Sequence, residues 1–336
     1  MKPDPVSPPP IKFPKDRASD VNAAMDELFR LFHDHYPVLV DDNPREWTFR
    51  LRWPEDPLWY VDPQLVDQAR RHFDCSLVDL ARFVEDRSTK NVTFVFSMFH
   101  SRALLAPALA YHRHSIENFT HIIHVDDHDD LLPPLLESRR GSLFDPISSV
   151  MIDLASPESV TAAIDRGVIH KGSFLACYVL ARPNGSIWHV SDRLKENASW
   201  LLPVSIDEDL GGRRLAVSAL DFKPEFQVAS WRLDETPAYP KSLSDAGAVW
   251  LDVDLDGFCN RYDGDSDRRD VTATDVEERV LRQRIDDFLI SLSAARWKTQ
   301  VRAVSVAASP GFFPSEYWDY ALPTVCDGIA AALGLR

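Results

Sequence analysis

Two aspartate-rich segments contain the residues of this chain that are best suited to chemistry. Each follows an apolar run, and their aspartates and one histidine are spaced two residues apart: Asp126, His128, Asp130, Asp252 and Asp254. Carboxylates packed this closely repel one another unless a cation or solvent lies between them. Carboxylate with imidazole suits Mn²⁺, Fe²⁺ or Zn²⁺, and an excess of carboxylate favours Mn²⁺. Both segments therefore predict divalent metal binding, with an acidic loop in water as the alternative.

The second segment has a competing interpretation as a calcium loop. Residues 252–257, DVDLDG, match the first half of an EF-hand loop. The match then fails, because the twelfth position would be Asp263 instead of glutamate and the preceding run is typical of a strand. We therefore favour a strand-end metal site, and we predict that residues 263–267 form a polar surface loop.

A third apolar run, at residues 92–99, ends at His100. A histidine alone at a strand end is usually structural. Together, however, the three runs supply two histidines and four carboxylates, which suit two divalent cations about 3.5–4 Å apart with bridging carboxylates. Four neighbours in the first segment are assigned supporting or solvent roles: His121, His124, Asp127 and Asp129.

The elements that position these residues alternate between strand and helix. Apolar runs predict strands at residues 92–99, 120–125, 246–253 and 301–308, and periodic patterns predict helices at residues 101–111, 156–167, 271–292 and 315–333. Residues 173–181 and 186–191 flank a tight-turn signal and predict a hairpin. Continuous apolar strands with intervening helices indicate an α/β fold with a mostly parallel, doubly wound sheet. The carboxyl ends of parallel strands, where ligand sites collect, would then carry the metal site.

Charge and cysteine content limit the classes of partner and the cell compartment that we expect for this chain. The formal net charge of −15 disfavours nucleic acid and anionic membranes and favours a cationic substrate. The four cysteines have no CxxC spacing, which is typical of reduced cytosolic thiols. The sequence has no signal-peptide pattern and no apolar run long enough to span a bilayer. We therefore expect a cytoplasmic protein, and a homo-oligomer stays open.

Three regions are predicted along the chain. Residues 1–15 are proline-rich and indicate a disordered or extended arm. Residues 16–90 indicate a helical extension packed on the core, with helices at 16–36 and 62–83 around a loop-like stretch at 37–57. Residues 91–336 form the α/β domain. The aromatic residues of the extension pack as core or contact a peptide, and we favour core for them: Trp47, Trp53, Trp59 and Tyr60.

The order of the motifs resembles the arginase/ureohydrolase superfamily. That family has a histidine in a GGDHS-like element, DxHxD about two dozen residues later and DxD late in the chain; His100, Asp126 and Asp252 follow this order. The segments HVDDHDDL, HKGSF, WLDVDLDGF and SPGFFP most resemble the peptide arginases of ribosomal peptide natural-product (RiPP) biosynthesis. The resemblance covers residues 100–316 and implies an arginase-like fold. It also implies an arginine-containing precursor peptide as partner, whose arginine side chains become ornithine.

The resemblance implies two Mn²⁺ per chain. One would be held by His100, Asp126, Asp130 and Asp252, and the other by His128, Asp126, Asp252 and Asp254, so that Asp126 and Asp252 bridge. A hydroxide would attack the guanidinium carbon, and the products would be urea and an amine. His170 is the candidate that gives a proton to the leaving amine. Glu316, with Asp319 second, is the candidate carboxylate partner of the guanidinium; either acid could instead be a first-turn acid of the last helix.

This sequence departs from the family pattern at two places, and the second narrows the class of substrate that we expect. Ser97-Met98-Phe99 replace the Gly-Gly-Asp before the family histidine. Metabolic arginases read the free α-carboxylate and α-amine of arginine with an SxNxH-type loop after DxHxD, whereas residues 131–136 here are LLPPLL. A peptide substrate lacks those free groups, so the absence of the polar loop fits a peptide.

Other functions remain as alternatives. A deacetylase of the same fold would use one zinc and would not need the Asp130-like ligand, and a small guanidino-compound hydrolase would share the metal site. A metallophosphoesterase is disfavoured because the sequence has no GNH motif, and an HD-type phosphohydrolase because His128-Asp129 follow a strand. The non-enzyme alternative is a catalytically inactive binding protein.

Overall fold

The computed structural model describes residues 10–32, 35–52, 61–114, 116, 118–132, 134, 136–139, 142–145, 148–182, 185–191, 199–200, 209–210, 213–214, 226–231, 247–264 and 276–335. The chain divides into two compact units, and each is described by itself. The first unit comprises Met1–Pro54, Asp130–Ala181 and Leu202–Lys223. The second unit comprises Glu55–Asp129, Arg182–Leu201 and Pro224–Arg336.

The secondary structure is mixed. The strands are β1 (Ile11–Pro14), β2 (Tyr36–Asp42), β3 (Glu46–Arg52), β4 (Val84–Asp86), β5 (Thr93–Ser97), β6 (Phe119–Val125), β7 (Glu137–Arg139), β8 (Ser142–Phe144), β9 (Met151–Ile152), β10 (Gly185–Val190), β11 (Ser199–Trp200), β12 (Asp209–Leu210), β13 (Arg213–Arg214), β14 (Phe226–Trp231), β15 (Ala248–Asp254) and β16 (Val301–Ala307). The helices are α1 (Val21–Phe32), α2 (Leu65–Phe73), α3 (Leu77–Leu80), α4 (Leu105–His114), α5 (Pro157–Asp165), α6 (Phe174–Ala181), α7 (Glu278–Ala294) and α8 (Trp318–Ala332). Within the described ranges, none of these helices combines the length and the apolar character that crossing a bilayer requires.

A mostly parallel sheet forms the centre of the second unit. Its order is β11-β14-β10-β6-β15-β16-β5-β4. The six strands from β14 to β5 are parallel, and β11 and β4 pair antiparallel at the two edges. Helices flank this sheet. The prediction of an α/β fold with a mostly parallel sheet is therefore confirmed.

The inner strands of this sheet are apolar because helices cover it. Every residue of β5 is buried, and β15 is buried from Val249 to Asp254. Runs of this kind match buried parallel strands, which lack the alternation of a half-exposed sheet. Because β5, β6 and β15 are parallel, their carboxyl ends lie at one edge, and the residues that follow them enter the same region.

The first unit contains a small antiparallel sheet, β1-β3-β2, together with α1. Its core joins Phe13 and Phe49 to Leu28 and Phe32 of the helix. Of the two alternatives predicted for the arm, disordered or extended, disorder is wrong for Ile11–Pro14, which are extended and pair with β3 because Ile11 and Phe13 alternate into this core. Residues 1–9 lie outside the described part of the chain.

The predicted helical extension at residues 16–90 is also wrong in part. The stretch at 37–57 was expected to be loop-like, yet Tyr36–Asp42 and Glu46–Arg52 are strands. The physical reason is a period-two alternation in β3, which buries Trp47, Phe49 and Leu51. Trp47 is therefore core, as expected, whereas Trp53, Trp59 and Tyr60 lie outside the described residues.

A second correction concerns the predicted hairpin at residues 173–191. Phe174–Ala181 form a helix instead of a strand, and Gly185–Val190 form a parallel strand of the second unit. The segment FLACYVLA is apolar on all sides, and periodicity alone cannot separate a buried helix from a buried strand in such a run. The neighbouring α5 begins as predicted, with Ser156 Oγ accepting from Ser159 N at 3.2 Å.

Candidate metal centre

One row of residues crosses four adjacent parallel strands of the second unit. His189 of β10 pairs in register with His124 of β6, His124 pairs with Asp252 of β15, and Asp252 pairs with Ser305 of β16. All four side chains are buried. Asp126 and Asp254 follow two positions later and so face the same side of the sheet.

His100 joins this row from the end of β5. Its Nδ1 lies 2.9 Å from Asp126 Oδ2 and 2.9 Å from Asp254 Oδ2. Its Nε2 lies 3.0 Å from Asp252 Oδ2. Both ring nitrogens therefore face carboxylates, and a neutral imidazole has only one proton to offer.

His124 likewise has two hydrogen-bond acceptors facing its two ring nitrogens. Its Nε2 lies 3.1 Å from the carbonyl oxygen of His128, which can only accept a proton. In the neutral ring the proton is therefore on Nε2, and the lone pair of Nδ1 faces Asp252 Oδ2 at 2.8 Å. Two electron-rich atoms at this distance repel unless a second proton or a metal ion lies between them.

His128 repeats the arrangement on the other side of Asp126. Its Nε2 lies 3.0 Å from Asp263 Oδ1, and its Nδ1 lies 3.4 Å from Asp126 Oδ1 and 3.3 Å from Asp256 Oδ2. The backbone N–H of His128 also donates to Asp126 Oδ1 at 2.6 Å. The imidazole is therefore held among three carboxylates.

The charges of this centre are compensated inside a buried volume. Four carboxylates that are at most 3% exposed take part: Asp126, Asp252, Asp254 and Asp256. Burial opposes ionisation of Asp252, but His100 and His124 outweigh it and hold the pKa at about 2. Burial also opposes ionisation of Asp126, yet the contacts with His100 and His128 keep its pKa well below the usual range. Burial, with Asp126 and Asp254 nearby, raises the pKa of Asp256 well above its usual value.

The donor set fits divalent cations. Asp126 Oδ2 is buried and has no well-aligned hydrogen bond from any residue that the structure describes, although His100 Nδ1 is within 2.9 Å. Two of the groups whose ligand atoms lie within 4.8 Å of one another are His100 with His124 and Asp252, and Asp126 with His128 and Asp256. Imidazole and carboxylate atoms that converge without satisfying one another are the arrangement that a metal ion completes.

A further layer orients the carboxylates. Ser305 Oγ donates to Asp252 Oδ1 at 2.5 Å and accepts from Trp250 Nε1 at 2.7 Å. Ser309 Oγ donates to Asp254 Oδ2, from a backbone with a φ of 43°. Such hydrogen bonds fix the direction in which each carboxylate presents its free lone pairs.

Five of the six predicted metal ligands lie together in the second unit: His100, Asp126, His128, Asp252 and Asp254. The sequence reasoning missed His124 and Asp256. A usable signal was present, because the spacing of two extends back from Asp126 to His124 and onward from Asp254 to Asp256. His124 was assigned a supporting or solvent role; its ring is buried and contacts Asp252 directly, which excludes the solvent role.

The sixth predicted ligand, Asp130, belongs to the first compact unit, in which it begins the segment Asp130–Ala181. It is buried, and its carbonyl oxygen accepts from Ala176 N at 3.4 Å. His170 belongs to the same unit and is also buried. Its Nδ1 accepts from Gly172 N at 3.3 Å, so the neutral ring carries its proton on Nε2.

The two candidate guanidinium partners both contact cationic side chains of the chain itself. Glu316 Oε1 accepts from Arg261 Nη2 at 2.7 Å, and its Oε2 accepts from Gln64 Nε2 at 2.9 Å. Asp319 is more exposed and lies 2.8 Å from Arg71 Nη2 and 3.3 Å from His72 Nε2. Glu316 is thus the one of the two that already binds a half-buried guanidinium.

Comparisons with known proteins assign no family. No protein-family model matches the chain, and no curated protein sequence matches it. The function proposed below therefore depends on the geometry of the metal centre and on the resemblance of its motifs.

Proposed function

We propose that this chain is a hydrolase that holds two Mn²⁺ at this centre and converts arginine side chains of a peptide into ornithine, releasing urea. One observation carries the metal part of the proposal. His100, His124 and His128 each aim a ring nitrogen at a buried carboxylate oxygen while the other nitrogen is already engaged. The choice of a guanidinium substrate comes from the motif resemblance, and the net charge of −15 suits a cationic side chain.

The ligand assignment follows the motif resemblance, and the contacts of His100 with Asp126 and Asp252 support the part of it that lies in the second unit. His100, Asp126 and Asp252 would hold one cation together with Asp130, and His128, Asp126, Asp252 and Asp254 would hold the other. His124 and Asp256 are close enough to join these sets. When bound, such a pair of divalent cations makes a hydroxide available near neutral pH and polarises the group under attack.

The chain's own residues would perform the remaining tasks. Ser305 and Ser309 fix the carboxylates, which keeps the ligand geometry constant through the reaction. His170, the candidate proton donor of the motif resemblance, would act from its imidazolium form: it would take up the proton that the attacking water releases and give that proton to the leaving amine. The motif resemblance assigns the substrate guanidinium to Glu316, whose two oxygens accept from Arg261 and Gln64 and each keep a further lone pair for a substrate N–H.

A second candidate function is a mononuclear amidohydrolase such as a deacetylase. The observation in its favour is the buried group of His100, His124 and Asp252. Two histidines and one carboxylate are the ligand set of many mononuclear zinc hydrolases. Metal content separates the two candidates, because the first requires two Mn²⁺ per chain and the second one Zn²⁺.

The deciding experiment is mass spectrometry of peptides after incubation with the protein and Mn²⁺. An arginine-containing peptide should lose CH₂N₂ per modified residue, and urea should appear in equal amount. The matched variants Asp126→Asn and Asp254→Asn should lose bound metal and activity together, since both carboxylates contact His100. Deacetylation of an acetyl-lysine peptide with one bound zinc would support the second candidate, and a protein that binds no divalent cation would refute both.

A further inference from the structure

The far side of the His128 ring contacts a residue outside the predicted set of metal ligands. Asp263 Oδ1 lies 3.0 Å from His128 Nε2. Asn260 braces this carboxylate, because its Nδ2 donates to Asp263 Oδ1 at 3.2 Å while its Oδ1 accepts from Asp263 N at 2.8 Å. All three residues belong to the second unit.

The backbone at this point adopts an uncommon conformation. Asp263 has a φ of 56° and Gly264 a φ of 70°. Aspartate tolerates the left-handed region better than most residues, but such positions persist only when their surroundings hold them. Here Gly264 N donates to Gly311 O at 2.9 Å, and Arg261 N donates to Phe312 O at 3.1 Å. The loop after β15 is thereby fastened to the loop after β16.

Phe312 contacts the His128 ring from another direction. The two ring centroids are 5.4 Å apart at an interplanar angle of 86°. A side chain in place of Gly264 would put its Cβ 2.9 Å from Phe312 Cζ, so the Phe312 ring would have to shift. The imidazole of His128 is therefore restrained both by a hydrogen-bonding carboxylate and by an aromatic ring.

We infer that Asp263 is a positioning residue, which accepts the Nε2–H of His128 and so directs Nδ1 toward Asp126 and Asp256, as the nitrogen that a cation would meet. A carboxylate that accepts the second N–H of a metal-binding histidine fixes the tautomer and the orientation of its ring. The inference rests on the proposed function in one respect, namely that a cation binds between Nδ1 and these two carboxylates. It adds a residue from a segment that was predicted to be only a polar surface loop.

An alternative role for Asp263 is direct coordination, since Asp127, His128 and Asp263 also have ligand atoms within 4.8 Å of one another. The position of Asn260 argues against it. Asn260 Nδ2 donates to Asp127 Oδ2 at 2.7 Å as well as to Asp263 Oδ1, so an amide donor already joins the two carboxylates. A cation there would meet N–H groups instead of lone pairs.

The test compares Mn²⁺ binding by Asp263→Ala and Asp263→Asn with the wild-type protein, with free Mn²⁺ measured by electron paramagnetic resonance. We expect about 10–100-fold weaker binding for Asp263→Ala at unchanged stoichiometry, the range for residues that orient ligands. Asp263→Asn keeps an acceptor oxygen and should lose less. Asp86→Asn is the control, because Asp86 pairs with Arg113 at 2.6 Å, belongs to no candidate site and should leave Mn²⁺ binding unchanged.

A spectroscopic readout separates positioning from a general loss of structure. In the diamagnetic Zn²⁺-loaded protein labelled with ¹⁵N-histidine, His128 should carry its proton on Nε2, and this proton should exchange slowly with solvent. His128→Gln identifies the signal, and Asp263→Asn, which decides the matter if Asp263→Ala does not fold, should speed its exchange.

The outcomes are distinct. If the wild-type protein binds no divalent cation, the proposed function fails and the inference falls with it. If the wild type binds Mn²⁺ and both Asp263 variants bind equally tightly, the inference alone is overturned. If a variant binds one ion fewer per chain, Asp263 is a ligand, which also overturns its role in positioning.

Discussion

Asp252 Oδ2 lies 2.8 Å from His124 Nδ1, and the two residues are direct partners on adjacent parallel strands. The same oxygen lies 3.0 Å from His100 Nε2. One carboxylate oxygen thus contacts two imidazoles. This arrangement is unfavourable if both rings are neutral and no metal is bound, and it is favourable if the three residues bind a cation together. The relationship makes His124, which the sequence analysis assigned a supporting or solvent role, a testable member of the centre.

His124→Gln should weaken Mn²⁺ binding by about tenfold or more, because it removes a ring that shares Asp252 with His100. His121→Gln is the matched control on the same strand, since His121 Nδ1 lies 2.8 Å from Ser186 Oγ and not beside the carboxylates. Isothermal titration calorimetry measures both. Equal losses for the two variants would show that any histidine change in β6 disturbs the protein in the same way.

Gly257→Ala should disturb the centre through the backbone. Its Cβ would lie 2.9 Å from Asp126 N and 3.0 Å from Asp126 Cα, so Asp126 must shift. Overpacking of this kind costs about 1–3 kcal/mol of unfolding free energy, and the shift should also weaken Mn²⁺ binding.

Gly328→Ala is the control for this prediction, because its Cβ would press on the Leu289 side chain, remote in sequence from every ligand. That variant should lose thermal stability and keep the Mn²⁺ affinity of the wild type. Retained affinity in Gly257→Ala would contradict the tight packing of Gly257 against Asp126.

Mn²⁺ binding should release protons near pH 7. Burial lowers the pKa of His128, but its contacts with Asp126 and Asp256 outweigh burial and raise the pKa above the ordinary 6.5. The metal-free ring is therefore protonated at neutral pH, whereas a metal-binding imidazole must be neutral. Affinity should accordingly increase with pH. Calorimetry in two buffers of different ionisation enthalpy measures the release, and His128→Gln should reduce it.

The raised pKa of His128 predicts the opposite pH dependence for stability: the free energy of unfolding of the metal-free protein should fall as pH rises, whereas its Mn²⁺ affinity should increase. A raised pKa in the folded state stabilises the fold below the unfolded value, near 6.5, and this contribution is lost as pH rises through the folded pKa. Chemical denaturation of the metal-free protein between pH 6 and pH 9 should therefore show stability that falls with pH, by an amount smaller in His128→Gln. A flat profile in both proteins would refute the shift.

Glu316→Gln should raise KM for an arginine peptide more than it lowers kcat. Glu316 already accepts a guanidinium N–H from Arg261 at 2.7 Å, and loss of its charge weakens a hydrogen bond worth about 1.5–3 kcal/mol. Asp319→Asn is the control that separates the two candidate carboxylates. If Asp319→Asn raises KM and Glu316→Gln does not, the assignment is reversed.

Local patterns predicted much of the second unit. The strands at residues 92–99, 120–125, 246–253 and 301–308 correspond to β5, β6, β15 and β16 within a few residues. Continuous apolar runs are a local property of the chain, so a strand can be predicted from them without knowing which strands lie beside it in the sheet. The small sheet β1-β3-β2 was missed because its short strands lie among prolines, charges and turns, where alternation is brief.

The sequence by itself determined that carboxylates and histidines follow buried parallel strands, because apolar runs and a spacing of two are local features. Only the tertiary structure decided which of them meet. β6 lies between β10 and β15, and this order places His124 beside Asp252, 128 residues away in the chain. Asp263 reaches His128 across 135 residues through a left-handed turn that no local pattern predicts. Strand order and loop geometry depend on packing of the whole unit, so they cannot be deduced from the spacing of residues.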